Sequence, residues 1–380
     1  MRLQDLQNTV RALAVVEESE SPFVSCYTNL ESDPRIARAE LGDRLLTVRA
    51  SVEPDQRVDF EHALSPIMAF LSSPLARESK GAAVFSRAGE RPYLRILPLQ
   101  VPVPNLLSVD AIPNLFHLIA LKDSYHRYVV LIAHGGRSRI LEVDVGAITR
   151  EIWTERPELR DRIGRSWARD HYQSHTPEKD DRFLKEQVKI LDKLITEGGQ
   201  THLVLAGSPQ TTARIRKRLP TRILDRVIDV VPAAMGDNKA DVVFATLARF
   251  IEHEQQESVT RVAQLMDELR RGGLAEADSA ATLESLQRGL VDVLVIAERY
   301  EPPAGWACRS CRFVDQDDLP PAACPVCGDR AVREADLKAE MVRLAGLHGA
   351  EVEILRESDA LIGIGGVGCL LKYRRPDQYG

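Results

Sequence analysis

Apolar runs and charged amphipathic stretches alternate along the chain, a pattern that predicts helices and strands in mixed order. In residues 1–124 the pattern predicts an α+β or α/β segment that begins with a short amphipathic helix. The proline-spaced run Pro98–Pro104 breaks any helix and predicts an edge strand or a crossing loop. The other elements predicted here are strands over Pro22–Thr28 and Gly81–Ser86 and helices over Glu40–Ser51 and Val58–Leu71.

The second segment, residues 125–234, opens with a hairpin pattern. Tyr128–Ala133 is an apolar run, His134–Arg137 contains two glycines, and Ser138–Val143 alternates apolar and polar positions. A charged helix over Asp180–Ile195 leads into further strands, and strands alternating with helices predict a parallel α/β core. The elements predicted after that helix are the strand His202–Ala206, a helix from Thr211 and the strand Val227–Val231.

Residues 235–380 predict a third domain, also α/β. It starts with a long helix over Lys239–Arg271, closed by Gly272-Gly273, where glycine can adopt the left-handed cap conformation. Further predicted elements are helices over Ala280–Arg288 and Ala335–Leu347 and strands over Leu290–Ala297, Glu351–Leu355 and Cys369–Tyr373. The predicted fold class is therefore α/β and α+β in three domains.

Four of the six cysteines form two Cys-x-x-Cys pairs with twelve residues between them: Cys308, Cys311, Cys324 and Cys327. This spacing is typical of a zinc ribbon, in which four thiolates close a tetrahedral Zn²⁺ shell and leave no open coordination position. A redox pair or a disulfide staple is the alternative. We predict a ribbon over residues 303–330, inserted in the third domain, with Zn²⁺ in a structural role.

Length, charge and composition limit the number of domains and the classes of protein to which the chain can belong. A length of 380 residues allows two or three domains. A net charge of −6 argues against a protein coated in nucleic acid but leaves room for local basic patches. The amino-terminal region does not resemble a signal peptide, and no window reaches the ~20 apolar residues of a membrane span. We expect a cytoplasmic monomer without membrane contact, with Cys26 and Cys369 as buried free thiols.

Taken in chain order, the predicted elements and the cysteine motif resemble those of the archaeo-eukaryotic class-I release factor family, which includes Pelota and bacterial relatives. The resemblance rests on Leu203–Ser208 in the second segment and, in the third, on Leu290–Ile296, the ending Gly363–Arg374 and the Cys₄ insertion. It covers about residues 125–375 and is weaker in the first segment. It implies a decoding-side domain, a middle domain that carries the hydrolytic loop, and a third domain that meets elongation factor Tu, another translational GTPase or the ribosomal stalk region.

The family hydrolyses peptidyl-tRNA with a Gly-Gly-Gln loop, and this chain contains Gly198-Gly199-Gln200. That tripeptide lies in a short turn between the charged helix and the strand at His202, whereas the family's loop precedes the charged helix. At the corresponding place the chain has Asp161–Arg169, with one glycine and no glutamine, and Gln173 is the nearest glutamine. We therefore expect the hydrolytic loop to be absent and no residue to be catalytic. The family's codon-reading motifs are also missing near Val52–Arg57 and Ser108–Leu115.

Two basic clusters could contact RNA phosphates, because arginine makes bidentate contacts to phosphate and stacks on bases. The alternative is a solvated helix face with salt bridges. The predicted RNA-binding residues are Arg156, Arg160, Arg162, Arg165, Trp167, Arg169, His171 and Gln173 in the first cluster and Arg214, Arg216, Lys217 and Arg218 in the second.

The resemblance and the lost motifs together predict a ribosome-binding translation factor, similar to the ribosome hibernation factors of the bacterial branch. It would occupy the aminoacyl-tRNA site and contact its rRNA without reading codons or releasing peptide. The alternatives are a peptidyl-tRNA hydrolase that rescues stalled ribosomes, through Gln173 or Gln200, and a stress-linked RNA-binding adaptor.

Overall fold

A computed structural model of the chain describes residues 3–31, 34–125, 127–134, 137–155, 176–197, 201–317, 319–356 and 358–373. Contacts divide the chain into two compact units. Unit 1 combines residues 3–124 with residues 255–380, and unit 2 consists of residues 125–254. The two parts of unit 1 contribute separate sheets, and the division into three domains stays a prediction.

The first part of unit 1 is an antiparallel sheet with helices against it. Its elements are α1 (Leu3–Ala14), β1 (Phe23–Asn29), α2 (Pro34–Ser51), α3 (Arg57–Leu71), α4 (Pro74–Arg77), β2 (Gly81–Arg87), β3 (Tyr93–Leu99), β4 (Leu106–Asp110) and α5 (Phe116–Ser124). The strand order is β3-β2-β1-β4, and α3 buries Phe60 and Ile67 against Val24 and Val84 of the central strands. The predicted strands and helices of this segment are confirmed. Pro98 lies in β3, an edge strand, which is the position in a sheet that tolerates proline.

Unit 2 is a mixed sheet with a hydrophobic core on each face. Its elements are β5 (Tyr128–His134), β6 (Arg137–Asp144), β7 (Ala147–Glu155), α6 (Thr176–Glu197), β8 (His202–Gly207), α7 (Pro209–Arg216), α8 (Thr221–Leu224), β9 (Val227–Val231) and the first part of α9 (Lys239–Arg270). The strand order is β7-β6-β5-β8-β9, with β5, β8 and β9 parallel. The predicted hairpin and parallel core are confirmed, and β7 is an element that the sequence pattern did not predict.

Successive side chains of a strand point to opposite faces of the sheet, and this alternation explains the two cores of unit 2. Leu203 and Leu205 of β8 pack with Leu191 of α6, whereas Val204 packs on the other face with Phe250 of α9. Strands that are apolar at nearly every position are typical of sheets covered on both faces. The sheet therefore holds β8 between two packed cores.

Helix α9 spans the boundary between the units, which falls between Glu254 and Gln255. Its end is confirmed as a glycine cap: Gly272 has φ +61°, and Gly273 N–H donates to Glu268 O at 2.8 Å. Although α9 has 32 residues, it is strongly charged. Among the described residues, no helix combines the length and the apolar character needed to cross a bilayer.

The second part of unit 1 has the strand order β10-β16-β11-β15, and β11 and β15 are parallel. Its elements after α9 are β10 (Ala275–Ala277), α10 (Ser279–Gln287), β11 (Val291–Ala297), β12 (Trp306–Cys308), β13 (Val314–Asp315), β14 (Val332–Glu334), α11 (Leu337–His348), β15 (Glu351–Leu355), α12 (Asp359–Gly363) and β16 (Val367–Leu371). The predicted elements are confirmed within two residues at each end. Cys26 and Cys369 are buried and form no disulfide, as expected.

Candidate metal centre and nucleic-acid interface

The four predicted metal ligands lie in a small sheet that follows β11, with the strand order β13-β12-β14. Cys308 ends β12, and the rings of Trp306 and Phe313 are 5.8 Å apart beside it. With Cys324 and Val332, these residues form the whole local core. So small a core buries little apolar surface, and modules of this kind generally depend on a metal or a covalent crosslink.

The two Cys-x-x-Cys turns have the same backbone structure. In each, the residue after the second cysteine donates its N–H to the carbonyl of the first cysteine: Arg312 to Cys308 at 2.9 Å, and Gly328 to Cys324 at 2.8 Å. Both donors have left-handed φ values, 62° for Arg312 and 77° for Gly328. Two equivalent turns thus present two sulfurs each.

The sulfur atoms are spaced as a single metal ion requires. Sγ of Cys308 lies 3.6 Å from Sγ of Cys327, and Sγ of Cys311 lies 3.6 Å from Sγ of Cys324. All four sulfurs lie within 4.8 Å of one another. Tetrahedral zinc with Zn–S distances of about 2.3 Å separates its sulfurs by about 3.8 Å, so the group fits a Zn²⁺ ion. The paired sulfurs are 3.6 Å apart, well beyond the length of about 2.05 Å of a disulfide bond.

Backbone donors favour the thiolate of Cys324. Burial raises the pKa of Cys324, but the N–H groups of Cys327 and Val326 donate to its sulfur and lower it, and the pKa falls to about 7. Burial raises the pKa of Cys311 to about 12 against the N–H donor of Phe313, and the pKa of Cys327 is raised although the N–H of Asp329 donates to its sulfur. Because only the thiolate binds a metal ion, Cys324 is the cysteine that these donors prepare for a cation.

Side chains of the neighbouring helices hold the small sheet in place. Gln287, at the end of α10, donates from Nε2 to Val314 O at 2.8 Å and accepts from Val314 N–H at 3.0 Å at its Oε1. The amide thereby pairs with β13 as a neighbouring strand would. A Cβ at Gly305 would lie 2.3 Å from Leu337 of α11, so the chain entering β12 can approach that helix only as glycine.

Strand β14 carries Arg333, which joins three separated segments of unit 1. Its guanidinium contacts Glu18 through Nε and Nη2 at 3.1 and 3.0 Å, Asp110 at 3.4 Å and Glu340 at 2.8 Å. Glu340 also accepts from Nε of Arg343 at 2.7 Å. The Arg333, Glu340 and Arg343 side chains are at most 9% exposed. This Arg333 network ties the small sheet to residues from the first part of unit 1.

Burial dominates the titration of the Arg333 network. Burial raises the pKa of Asp110 to about 6, and the attraction of Arg333 offsets only part of that rise. Hydrogen bonding to Glu18 and the charges of Asp110 and Glu340 raise the pKa of Arg333 despite its burial, so it stays protonated. The sequence offered no signal for this network, because its partners are 315 and 223 residues from Arg333 along the chain.

The second predicted basic cluster lies where α7 ends. Arg214, Arg216, Lys217 and Arg218 are all exposed, whereas Ile215 and Leu219 between them are buried. Arg222, in the same basic run, makes a bidentate pair with Asp192 at 2.9 and 2.6 Å. The structure thus places the four cations on the solvent side of unit 2, and their role in RNA binding stays a prediction.

The first basic cluster lies outside the described residues, and so does Gly198–Gln200. The predicted residues concerned are Arg156, Arg160, Arg162, Arg165, Trp167, Arg169, His171 and Gln173. The described elements on either side fix the lengths of the two connections. Twenty residues separate Glu155 of β7 from Thr176 of α6, whereas only four separate Glu197 of α6 from His202 of β8.

The described residues also bring together a group that the sequence did not suggest. His202 begins β8, and His253, Glu254 and the exposed Glu257 lie in α9. Their four ligand atoms lie within 4.8 Å of one another. The spacing of His202 from the residues of α9 resembles no metal motif, so only the fold shows the group.

Comparison with known proteins identifies the middle of the chain. Residues 113–250 match the family model described as bacterial archaeo-eukaryotic release factor family 10. They include all of unit 2 except its last four residues. None of the curated proteins matches the chain.

Solved structures with similarity to the chain include three translation factors. They are an archaeal translation termination factor, aRF1 (15% identity, 98% of this chain and 99% of that one, TM-score 0.27), Archaeoglobus fulgidus Pelota (13%, 98% and 92%, 0.38) and Saccharomyces cerevisiae Dom34 (11%, 78% and 80%, 0.41). These TM-scores lie below 0.5, so the comparison rests on the family match. The expected resemblance is confirmed: residues 113–250 are similar to the archaeo-eukaryotic release factor family, in its bacterial branch.

Proposed function

We propose that this chain is a ribosome-binding translation factor that occupies the aminoacyl-tRNA site without reading a codon and without releasing peptide, in ribosome hibernation or protection. The match of residues 113–250 to the bacterial archaeo-eukaryotic release factor family supports the ribosome as its partner. Because neither codon-reading motif occurs in the sequence, binding is the family property that the chain retains.

The position of Gly198-Gly199-Gln200 carries this proposal. Helix α6 ends at Glu197, and Thr201 is tied to β5 because its N–H and its Oγ1 both donate to Arg127 O, at 3.2 and 2.9 Å. Four Cα–Cα steps of 3.8 Å connect these two fixed points, so in any conformation the tripeptide can project at most about 7–8 Å. A loop that hydrolyses peptidyl-tRNA must extend well beyond its own domain.

Two features of unit 2 and its flanks support an RNA contact. The four exposed cations Arg214, Arg216, Lys217 and Arg218 can each approach a phosphate, and the arginines can do so bidentately. We propose that they contact rRNA, together with the arginine-rich connection of residues 156–175. A translational GTPase, such as elongation factor Tu, is the further partner that we propose for the third segment.

We also propose that Cys308, Cys311, Cys324 and Cys327 bind one Zn²⁺ ion. The sulfur separations, the equivalent turns and the N–H donors support this assignment. Four thiolates fill the tetrahedral shell, so the ion would fix the small sheet and hold no water for chemistry.

Two measurements test the proposed function. The factor should sediment with 70S ribosomes, and it should release no peptide from ribosomes loaded with peptidyl-tRNA, whereas a release factor with an intact hydrolytic loop serves as the positive control. Absence from the ribosomal fraction at low salt would refute ribosome binding and favour an RNA-binding adaptor. Peptide release above the spontaneous rate would refute the non-catalytic role.

One observation favours the hydrolase alternative. The connection of twenty residues between β7 and α6 is long enough to extend far from unit 2, and it contains Gln173. If the chain releases peptide, Gln173→Ala should abolish release and Gln200→Ala should leave it unchanged. The reverse result would show that the short connection is the catalytic one.

A further inference from the structure

We propose that His202, His253 and Glu254 form a second metal site, distinct from the four cysteines, for a divalent transition-metal ion of the zinc type. Two imidazoles and one carboxylate are a donor set that zinc accepts, and the exposed Glu257 offers a further carboxylate within 4.8 Å of these ligand atoms. All three residues belong to unit 2. A bound ion would crosslink the start of β8 to α9.

The neighbouring rings hold the imidazoles in place. The ring of Phe250 stacks on Tyr128 at 4.8 Å, and the ring of His202 meets the edge of Phe250 at 5.5 Å and the ring of His253 at 5.3 Å. His202 is also fixed by the sheet, because it pairs in register with Tyr128 of the parallel neighbour β5. The side chains that would bind the ion are therefore held on one side by a rigid aromatic surface.

The ligand atoms converge from β8 and α9. Nδ1 of His202 and Oε1 of Glu254 are 3.7 Å apart, longer than a hydrogen bond. Nδ1 of His253 is buried without a hydrogen-bond partner among the described residues. A cation between these atoms would bond to all three, since the ligand atoms lie within 4.8 Å of one another.

The donor types select the class of cation. Imidazole nitrogen favours zinc and neighbouring first-row ions, whereas calcium and magnesium prefer shells of oxygen. Zinc bound by two histidines and one glutamate needs nitrogen and oxygen atoms about 3.3 Å apart, from metal–ligand distances of about 2.0–2.1 Å. Movements of the His253 and Glu254 side chains by about an ångström would bring the group to that spacing, while His202 stays in the sheet.

Zinc stoichiometry tests this site separately from the cysteines. The full-length protein, purified without chelator, dialysed against Zn²⁺ and freed of excess metal, should contain two zinc ions per chain. Replacing Cys308 and Cys324 by serine should leave one ion, His253→Gln should also leave one, and the combined variant should contain close to none. His253 is half-buried and its replacement keeps a polar side chain of similar reach, so folding can be verified by circular dichroism.

A second measurement remains valid if a variant folds poorly. In the protein with Cys308→Ser and Cys324→Ser, added Zn²⁺ should raise the temperature of unfolding in proportion to the logarithm of its concentration, because it binds only the folded state. Co²⁺ bound to this protein should show d–d absorption without thiolate charge-transfer bands. Equal zinc contents of the wild type and His253→Gln would overturn the second site, and so would a zinc-independent unfolding temperature of the cysteine variant. If the cysteines bind no zinc while the histidine site does, only the proposed ribbon is overturned.

Discussion

Replacing Arg333 by methionine should destabilise the protein by about 3 kcal/mol at pH 8. Methionine keeps the length and the apolar contacts of the side chain but removes the charge that Glu18, Asp110 and Glu340 share. Breaking a buried ion pair by deleting one partner costs about 3–5 kcal/mol. The lower end applies here, because Glu340 keeps Arg343 and the Asp110 side chain is 28% exposed.

The pH dependence follows from the raised pKa of Asp110. Because that pKa is about 6 in the folded state and close to 4 in the unfolded chain, the folded state binds the proton more tightly. This term therefore makes the wild-type protein less stable as pH rises from about 4 to 6, and it is constant above 6. Without Arg333 the pKa of Asp110 rises further and the loss continues to higher pH. The deficit of Arg333→Met should thus be about 1 kcal/mol smaller at pH 5 than at pH 8.

Urea unfolding followed by circular dichroism at pH 5 and pH 8 measures both quantities. Arg309→Met is the matched control, since Arg309 lies in the same small sheet and pairs at 2.9 Å with Glu20, which is 90% exposed. A surface pair of this kind contributes at most about 1 kcal/mol. A deficit below about 1 kcal/mol for Arg333→Met at pH 8, or an equal deficit at both pH values, would refute the reasoning.

Four further predictions concern the other sites. Cys324→Ser should remove one zinc ion and unfold the small sheet locally while both larger parts of unit 1 stay folded, which hydrogen exchange can resolve; protection lost throughout unit 1 would contradict this. Gln200→Ala should change the free energy of unfolding by no more than about 0.5 kcal/mol and leave ribosome binding intact, as urea titration and co-sedimentation can show. Arg312→Gly should stabilise the small sheet by about 0.5–1 kcal/mol, because Arg312 has φ 62° where the equivalent turn has Gly328, and a lower melting temperature would argue against backbone strain. Removing the charges of the second basic cluster should weaken co-sedimentation with ribosomes and reduce its salt dependence by roughly 0.7–0.9 log units per phosphate contact. Unchanged binding from 50 to 300 mM salt would exclude these residues from the interface: Arg214, Arg216, Lys217 and Arg218.

Patterns among residues that are close in sequence predicted most of the helices and strands. Apolar runs such as His202–Gly207 and helix signals such as Gly272 at the end of α9 depend on neighbours in sequence, and the structure has these elements where they were expected. The cysteine cluster was accessible for the same reason, because each turn holds two of its ligands within four residues. Strand β7 was missed, since its polar and apolar residues alternate weakly beside the hairpin.

Contacts between segments that are distant in sequence could not be predicted from local patterns. Nothing in the residues around Arg333 indicates that Glu18 and Asp110 lie beside it, because the pairing follows from how the small sheet packs within unit 1. The His202, His253 and Glu254 group has the same origin, since it depends on the register of β8 and on the face that α9 presents to the sheet. Electrostatic and metal sites of this kind need a fold before they can be found.

The small cysteine sheet shows how the two kinds of information combine. Its turns are local, because each holds two cysteines within four residues. Its position depends on distant residues, because Gln287, Leu337 and the Arg333 network contact it. A Zn²⁺ ion bound by the four cysteines would share an element with that network, since Ala307 of β12 pairs in register with Arg333 of β14 and Cys308 follows at the next position. If the ion binds as proposed, its loss would free the strand that carries Arg333, and the metal would support a charge network that contains none of its ligands.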